Sequence, residues 1–186
     1  IGLPCAIGLI LIPRNIITFI SGPTFIGASG ALGIFGITLL FSFVHGFLGN
    51  MLAIPVGDFD TGIWAATISS IINIVLNLIL LPIFGFTVAA ATTAVAELFS
   101  ALVFIIRLRK KVKVKIKVEG ILKSLAHSLL GCVAFTVYII FAEQLPLGDN
   151  WKTVVIIAGS AIIYMLVLLL CRDEFVMEAV RFIKDR

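Results

Sequence analysis

Long apolar runs, interrupted by short groups of proline, glycine and charged residues, dominate the chain. Asp, Glu, Lys and Arg are missing from four stretches, at 15–57, 61–96, 124–142 and 153–171. A helix needs about 20 mostly apolar residues to cross a hydrocarbon core of roughly 30 Å. The first two stretches can each hold most of two crossings, and the last two hold one each. We predict membrane-spanning helices at 1–22, 28–54, 62–81, 86–107, 120–142 and 152–171.

The composition agrees with this pattern. The chain is 61% apolar and 13% charged, with a mean hydropathy of +1.21, whereas a soluble domain is about half apolar and roughly a quarter charged. It opens on Ile1 inside an apolar run, so we expect a longer protein whose N-terminal part is missing here. The predicted fold class is all-α, a polytopic transmembrane helix bundle with about six crossings.

The basic residues predict the orientation of this bundle. Twelve of the 14 lie after the fourth or the sixth predicted helix, and basic loops stay in the cytoplasm. We therefore predict four helices in 1–108, a basic cytoplasmic loop at 109–119, two further helices in 120–171 and a cytoplasmic tail at 172–186. The residues expected to touch anionic lipid headgroups are Arg107, Arg109, Lys110, Lys111, Lys113, Lys115 and Lys117. A basic run beside a membrane span favours lipid contact over a nucleic-acid site or an edge strand.

Polar side chains inside the apolar runs are the candidate functional residues. Thr67, Ser70, Asn73 and Asn77 share one face of the third helix, because their spacings are three, three and four residues. The second and fourth helices carry similar faces. Polar groups in lipid turn toward other helices or a water-filled cavity. The predicted cavity-lining set is Ser42, His45, Thr67, Ser70, Asn73, Asn77, Glu97 and Arg14.

Several of these residues have a structural alternative. Asn73 and Asn77 could hydrogen-bond across a helix interface, which contributes roughly 0.6 kcal/mol in membrane proteins. His45 could be an interior histidine with its hydrogen bonds satisfied, and Glu97 could either face the cavity or bond to a neighbouring helix. Arg14 follows Pro13 and is either deep in the membrane beside an anionic partner, such as a phosphate, or at the interface.

Motifs of soluble enzymes are missing from the sequence. It contains no Walker loop, no HExxH, no GxSxG and no clustered Cys and His. The two histidines, His45 and His127, lie in separate apolar helices without a nucleophile motif. We therefore predict a protein that is not an enzyme and has neither a cofactor nor a metal site.

One segment resembles a known family. It reads Asn73-x3-Asn77-x4-Pro82-x-x-Gly85, followed by Ala89-Ala90-x-x-Thr93. This is similar to the N-x3-N-x4-P-x-x-G-x-x-G-A-A-x-A-T pattern of the O-antigen and capsule-repeat flippases in the multidrug/oligosaccharidyl-lipid/polysaccharide exporter superfamily. Val88 and Thr92 stand where glycine and alanine are usual.

This resemblance implies a flippase that moves an undecaprenyl-pyrophosphate-linked oligosaccharide across the bacterial cytoplasmic membrane by alternating access. The chain would be the C-terminal part of a transporter of 12–14 helices in two lobes, and its partner would be the missing N-terminal lobe. Two alternatives stay open. One is a multidrug or organic-cation antiporter of the same superfamily, for which Glu97 is the available membrane acid. The other is a membrane scaffold that does not transport.

Overall fold

The helices of the bundle follow from the apolar runs. The computed structural model describes residues 2–111, 118–173, 176–178 and 181, and no side-chain detail is given for Lys110 or for 118–121. Its α-helices are α1 (Gly2–Leu11), α2 (Pro13–Ser21), α3 (Ser29–Phe47), α4 (Phe59–Phe84), α5 (Thr87–Lys111), α6 (Val118–Ala142) and α7 (Asp149–Leu170).

The first predicted helix is two helices. The α1 and α2 axes meet at Ile12 with a bend of 83°, so the helix predicted over 1–22 is broken in the structure. Pro13 causes the break, because proline lacks an N–H donor and its ring clashes with the preceding turn. Pro13 occupies the first turn of α2, where its missing donor costs nothing.

The second crossing is longer and less regular than predicted. A 3₁₀ segment, Pro23–Ala28, precedes α3, and a π-helical segment, Leu48–Ala53, follows it. The 3₁₀ segment, α3 and the π segment together form a span of 31 residues, Pro23–Ala53. In the π segment the Ile54 N–H donates to the Gly49 carbonyl at 3.0 Å, five residues back. Such segments often occur at functional sites.

The third predicted helix extends at both ends. Asp58 caps α4, accepting from the Thr61 N–H at 3.3 Å and from the Thr61 hydroxyl at 2.6 Å. At the other end α4 continues past Pro82 and stops at Gly85, whose φ of 74° favours glycine. A two-residue connection then leads into α5, so that α4 and α5 form a hairpin.

The bundle has two clusters of buried hydrophobic residues. One cluster lies where α6 and α7 meet Ile12, and the other lies where α4 and α5 meet the π segment. Helix α1 packs on α3 and on α6, and α2 packs on α7. Within the described residues, five helical spans are long and apolar enough to cross a membrane, or six if the bent pair counts as one span. The predicted all-α polytopic bundle of about six crossings is thus confirmed.

Small residues permit the closest helix contacts. At Gly36 in α3, an added Cβ would lie 2.7 Å from the carbonyl oxygen of Ala6 in α1. Helices α6 and α7 meet through two reciprocal pairs: Gly131 faces Tyr164, and Gly159 faces Tyr138. Both tyrosine hydroxyls are bonded across the same interface, that of Tyr164 to Ser128 at 2.7 Å and that of Tyr138 to the Val155 carbonyl at 2.9 Å.

The basic loop at 109–119 and the tail at 172–186 lie largely outside the described residues, including Lys113, Lys115 and Lys117. The domain boundaries and the contacts with anionic lipid stay predictions.

Candidate functional site

A polar cavity of about 510 Å³ lies between α3, the π segment, α4 and α5. It occupies the end of the bundle where α4 begins and α5 finishes. The π segment contributes Gly49, Asn50 and Ala53 to its wall. A Cβ at Gly49 would be 3.1 Å from the Phe104 ring, so glycine lets the π segment approach α5 closely. The polar lining side chains are His45, Asn50, Asp58, Ser69, Ser70, Glu97 and Ser100.

Two predicted residues meet in this cavity. The Nδ1 of His45 and the Oε2 of Glu97 lie 2.5 Å apart and join α3 to α5. The angles of the contact do not fit a regular hydrogen bond, and neither atom has another partner within the described part of the chain. The Phe104 ring stacks on His45, with centroids 6.3 Å apart.

An ion pair lies beside the cavity, where α4 begins and α5 ends. The Lys111 ammonium donates to the Asp58 carboxylate at 2.7 Å, which ties the end of α5 to the start of α4. The Asp58 side chain is 3% exposed, whereas that of Lys111 is 51% exposed. The bonds from Lys111 and from Thr61 lower the pKa of Asp58, because both favour the charged carboxylate. Nearby, the Arg107 guanidinium lies 5.4 Å from the centre of the Trp64 ring, a cation–π contact.

The two predicted asparagines lie in the α4–α5 interface. The Asn73 amide donates to the Thr93 hydroxyl at 3.3 Å, and the Asn77 amide donates to the Asn73 side-chain oxygen at 2.8 Å. The Thr92 hydroxyl donates to the Asn77 side-chain oxygen at 2.9 Å. Asn73 and Asn77 thus hydrogen-bond across a helix interface, which was the alternative to cavity lining in the sequence analysis. The polar stripe of α4 continues from this network into the cavity at Ser70.

The remaining predicted residues lie elsewhere. Thr67 is exposed and Ser42 is half-buried, and neither belongs to the cavity wall. Arg14 lies in a separate pocket of about 300 Å³ with Glu143, Asp149 and Lys152. The structure therefore brings together His45, Ser70 and Glu97 from the predicted set and leaves Arg14 apart from them.

An apolar groove of about 580 Å³ runs between α1, α2, α6 and α7. Its walls are almost wholly apolar. Examples are Leu9 from α1, Ile12 between α1 and α2, Phe135 and Ile139 from α6, and Ala161 from α7. The bend at Ile12 shapes this groove, because Ile16 enters it from α2. A hydrocarbon chain is the kind of ligand that such walls accept.

The charges of the cavity limit its chemistry. Two carboxylates and one imidazole line it, and no Lys or Arg does so among the described residues. Hydroxyl and amide groups of a ligand could bond to such walls, but a pyrophosphate would be repelled by the carboxylates. No three His, Cys, Asp or Glu side chains come together as a metal-ligand set in the described ranges.

Comparison with known families decides the class of protein. The family model described as lipid II flippase MurJ matches residues 1–162. The chain belongs to the lipid II flippase MurJ family. No curated protein and no solved structure gives a significant match to the chain.

Membership in the MurJ family confirms the broader predictions. The chain is a multi-pass membrane protein of the multidrug/oligosaccharidyl-lipid/polysaccharide exporter superfamily. It belongs to a family of flippases for lipid-linked precursors, and it is not an enzyme. The antiporter and scaffold alternatives are not favoured.

The predicted set lacks Asn50, Ser69 and Ser100 of the cavity wall. It also lacks Asp58, for which the sequence does hold a signal. Its position directly before an apolar helix, three residues ahead of Thr61, is the mark of a helix N-cap. Helix α5 ends in lysines at the same end of the bundle. The position of Asp58 therefore also predicts an ion pair with one of these lysines.

Proposed function

We propose that this chain forms part of a flippase that carries lipid II, an undecaprenyl-pyrophosphate-linked saccharide, from the cytoplasmic to the outer leaflet. The observation that carries the proposal is the family match over residues 1–162. On this proposal the Asp58–Lys111 end faces the cytoplasm, in keeping with the basic residues that follow it.

The two cavities suit the two chemically different parts of such a substrate. The polar cavity between α3, α4 and α5 offers hydroxyls, an amide and carboxylates to the saccharide. The apolar groove along α1, α6 and α7 offers hydrocarbon contacts to the polyprenyl chain. Helix α1 connects them, since it lines the groove and packs on α3, which lines the cavity.

The pyrophosphate needs a different environment. Arg and Lys are the side chains that bind phosphates, and in the described ranges neither lines the polar cavity. We therefore propose that the pyrophosphate is held by cations from the N-terminal lobe expected from the sequence. Transport would then require both lobes, as alternating access does in general.

The finer question is which saccharide is carried. The sequence resemblance pointed to an O-antigen or capsule repeat unit, whereas the matching family model is described by lipid II. The choice is testable with the intact protein in two bacterial hosts, one depleted of its lipid II flippase and one lacking its repeat-unit flippase. We expect growth and outer-leaflet lipid II to be restored in the first host, and no surface polysaccharide to be restored in the second.

Rescue of the second host alone would overturn lipid II as the substrate. The role of the cavity is tested with the double variant Asn50→Leu, Ser70→Leu, in which two polar groups of the cavity wall are replaced by apolar ones. We expect this variant to insert normally, as shown by its membrane-fraction yield, and to fail in the first host. Full rescue by the variant would show that the cavity does not receive the saccharide.

A further inference from the structure

A small pocket of mixed charge lies between α2, the start of α7 and the turn that follows α6. Its volume is about 300 Å³, and it shares no lining residue with the polar cavity or with the apolar groove. Two cations and two carboxylates line it, namely Arg14, Lys152, Glu143 and Asp149. Their formal charges cancel, and amide and hydroxyl groups of α2 and α7 complete the polar wall. Such a lining is complementary to a ligand that carries both signs of charge.

The charged side chains of this pocket are not paired with one another. Within the described residues, no ion pair joins Arg14 or Lys152 to Glu143 or Asp149, and none of the four is bonded to another side chain there. Arg14 is exposed and Lys152 is half-buried, so a ligand can reach both cations. Both signs of charge are therefore available to a ligand.

The pocket adjoins one end of the apolar groove. Three elements line both, and each brings a groove residue close to a pocket residue. On α2, Ile16 of the groove directly follows a pocket residue. On α7, Ile157 of the groove lies one turn after Thr153 of the pocket, and the N–H of Glu143 donates to the carbonyl of Ile139 in the groove at 2.9 Å. A molecule that spans both sites meets charge at one end and hydrocarbon at the other.

The direction of α2 places this pocket at a surface of the membrane. Helix α2 is bent by 83° from α1, and α1 packs on α3 and α6, which belong to membrane-spanning segments. Helical spacing puts Arg14 and Thr18 on one face of α2, and Ile16 and Ile20 on the other. An amphipathic helix of this kind lies in the plane of the headgroups. The pocket is thus at the depth of a lipid headgroup, and the groove extends from it toward the acyl chains.

We propose that the pocket binds the headgroup of a phospholipid that carries both a phosphate and a primary ammonium group. Arg14 and Lys152 bind the phosphate, for which guanidinium and ammonium groups are the usual donors. Glu143 and Asp149 accept hydrogen bonds from the ammonium group of the lipid. The same carboxylates disfavour a headgroup that has negative charge alone. One acyl chain lies in the near end of the groove.

The test is binding of defined lipids to the intact protein in detergent, measured by native mass spectrometry. Three phospholipids with identical oleoyl chains are compared: phosphatidylethanolamine; phosphatidylcholine, whose ammonium has no N–H donor; and phosphatidylglycerol, which has the phosphate without an ammonium. We expect phosphatidylethanolamine to bind the wild type roughly two- to fivefold more tightly than the other two, the range for an ion pair that water still reaches. Undecaprenyl pyrophosphate is the fourth lipid, because it has a phosphate-bearing head and no ammonium.

Two variants each remove one charge from the pocket. Glu143→Gln leaves two cations and one carboxylate, so the preference should move from phosphatidylethanolamine toward phosphatidylglycerol. Arg14→Gln should weaken the binding of both lipids, because both need the phosphate contact. The matched controls are Glu178→Gln and Arg109→Gln, the same exchanges at exposed residues outside the pocket. Both controls should keep the wild-type preference, and a monodisperse elution peak shows that each variant is folded.

Several results would overturn the proposal. Equal binding of the three phospholipids by the wild type, or a preference for phosphatidylglycerol, would exclude a site of mixed charge. A wild-type preference retained by either Glu143→Gln or Arg14→Gln would show that the selective site lies elsewhere. Tighter binding of undecaprenyl pyrophosphate than of phosphatidylethanolamine would assign the pocket to a polyprenyl lipid instead. None of these measurements depends on flipping, so their failure would leave the proposed function untouched.

A second measurement locates the acyl chain. A phosphatidylethanolamine with a diazirine on one oleoyl chain is irradiated with the intact protein, and the labelled peptides are mapped. We expect labels on α2 and α7 around Ile16 and Ile157, which line the near end of the groove. Excess unlabelled phosphatidylethanolamine should remove these labels more effectively than excess phosphatidylglycerol. Labels confined to other helices, or equal competition by the two lipids, would contradict the proposed site.

Discussion

The close contact at Gly36 gives a prediction that can be worked out from atomic distances. A Cβ at this position would lie 2.7 Å from the Ala6 carbonyl oxygen, 2.7 Å from the Ile10 Cγ1 and 3.3 Å from the Leu9 Cβ. Favourable contacts between carbon atoms lie at about 3.5–4.0 Å. The Ile10 side chain could rotate away, but the Ala6 oxygen belongs to the α1 backbone. Replacement by alanine would therefore push α1 away from α3.

The cost of this displacement follows from known overpacking effects. Inserting a methyl group into a tight interface costs about 1–3 kcal/mol. For a chain of this size each kcal/mol lowers the melting temperature by about 2–4 °C. We expect Gly36→Ala to lower the midpoint of heat inactivation on the order of 2–12 °C. The assay is the loss of the monodisperse peak of the detergent-solubilised intact protein after short heat steps.

Gly33→Ala is the matched control, since Gly33 lies one turn earlier in α3. A Cβ there would meet only the Pro13 ring at 3.9 Å, which is ordinary contact. Alanine is also the better helix former, so this variant should keep or slightly raise the midpoint. If Gly36→Ala and Gly33→Ala had the same midpoint, the close approach of α1 to α3 would be refuted.

Two further predictions concern the ion pair and the groove. Because Lys111 holds the pKa of Asp58 below its usual value of about 3.8, the stabilising contact is complete above that value and is lost as the pH falls through the lowered pKa. Asn is also a good N-cap, so Asp58→Asn removes the ion pair and keeps the helix cap. The wild type should therefore be more heat-stable than Asp58→Asn at pH 6 and should lose this advantage toward pH 3. An advantage unchanged at pH 3 would contradict the pairing of Asp58 with Lys111. In the groove, Ala161→Trp should block the polyprenyl chain and lower the flipping rate at least several-fold, whereas Leu166→Trp, outside the groove on the same helix, should not; equal rates would exclude the groove.

The sequence predicted the bundle well because membrane helices depend on local composition. Apolar length determines where a helix can cross, and each predicted helix from 28 onward overlaps a helix or span of the structure. The bend of 83° could not be predicted. Its angle depends on the docking of α1 on α3 and of α2 on α7, and those contacts involve residues far apart in the chain.

The candidate site was predicted only in part, because it too depends on contacts between residues far apart in the chain. Helical spacing places Ser70 and Asn73 on one face of α4, but it does not say that Asn73 binds Thr93 while Ser70 reaches the cavity. Nor does it align His45 with Glu97. That alignment depends on the register between α3 and α5, which is held in part by the Thr38 hydroxyl donating to the Ala90 carbonyl at 3.4 Å.

The asparagine network also has a consequence for the biogenesis of the protein. An unpaired amide is costly while a new helix moves from the translocon into lipid. The partners of Asn73 and Asn77 lie only 20 and 15 residues further along the chain, on the second arm of the same hairpin. Once α4 and α5 leave the translocon together, these hydrogen bonds form without any other helix. The α4–α5 side of the polar cavity can therefore enter the membrane before the rest of the bundle has assembled around it.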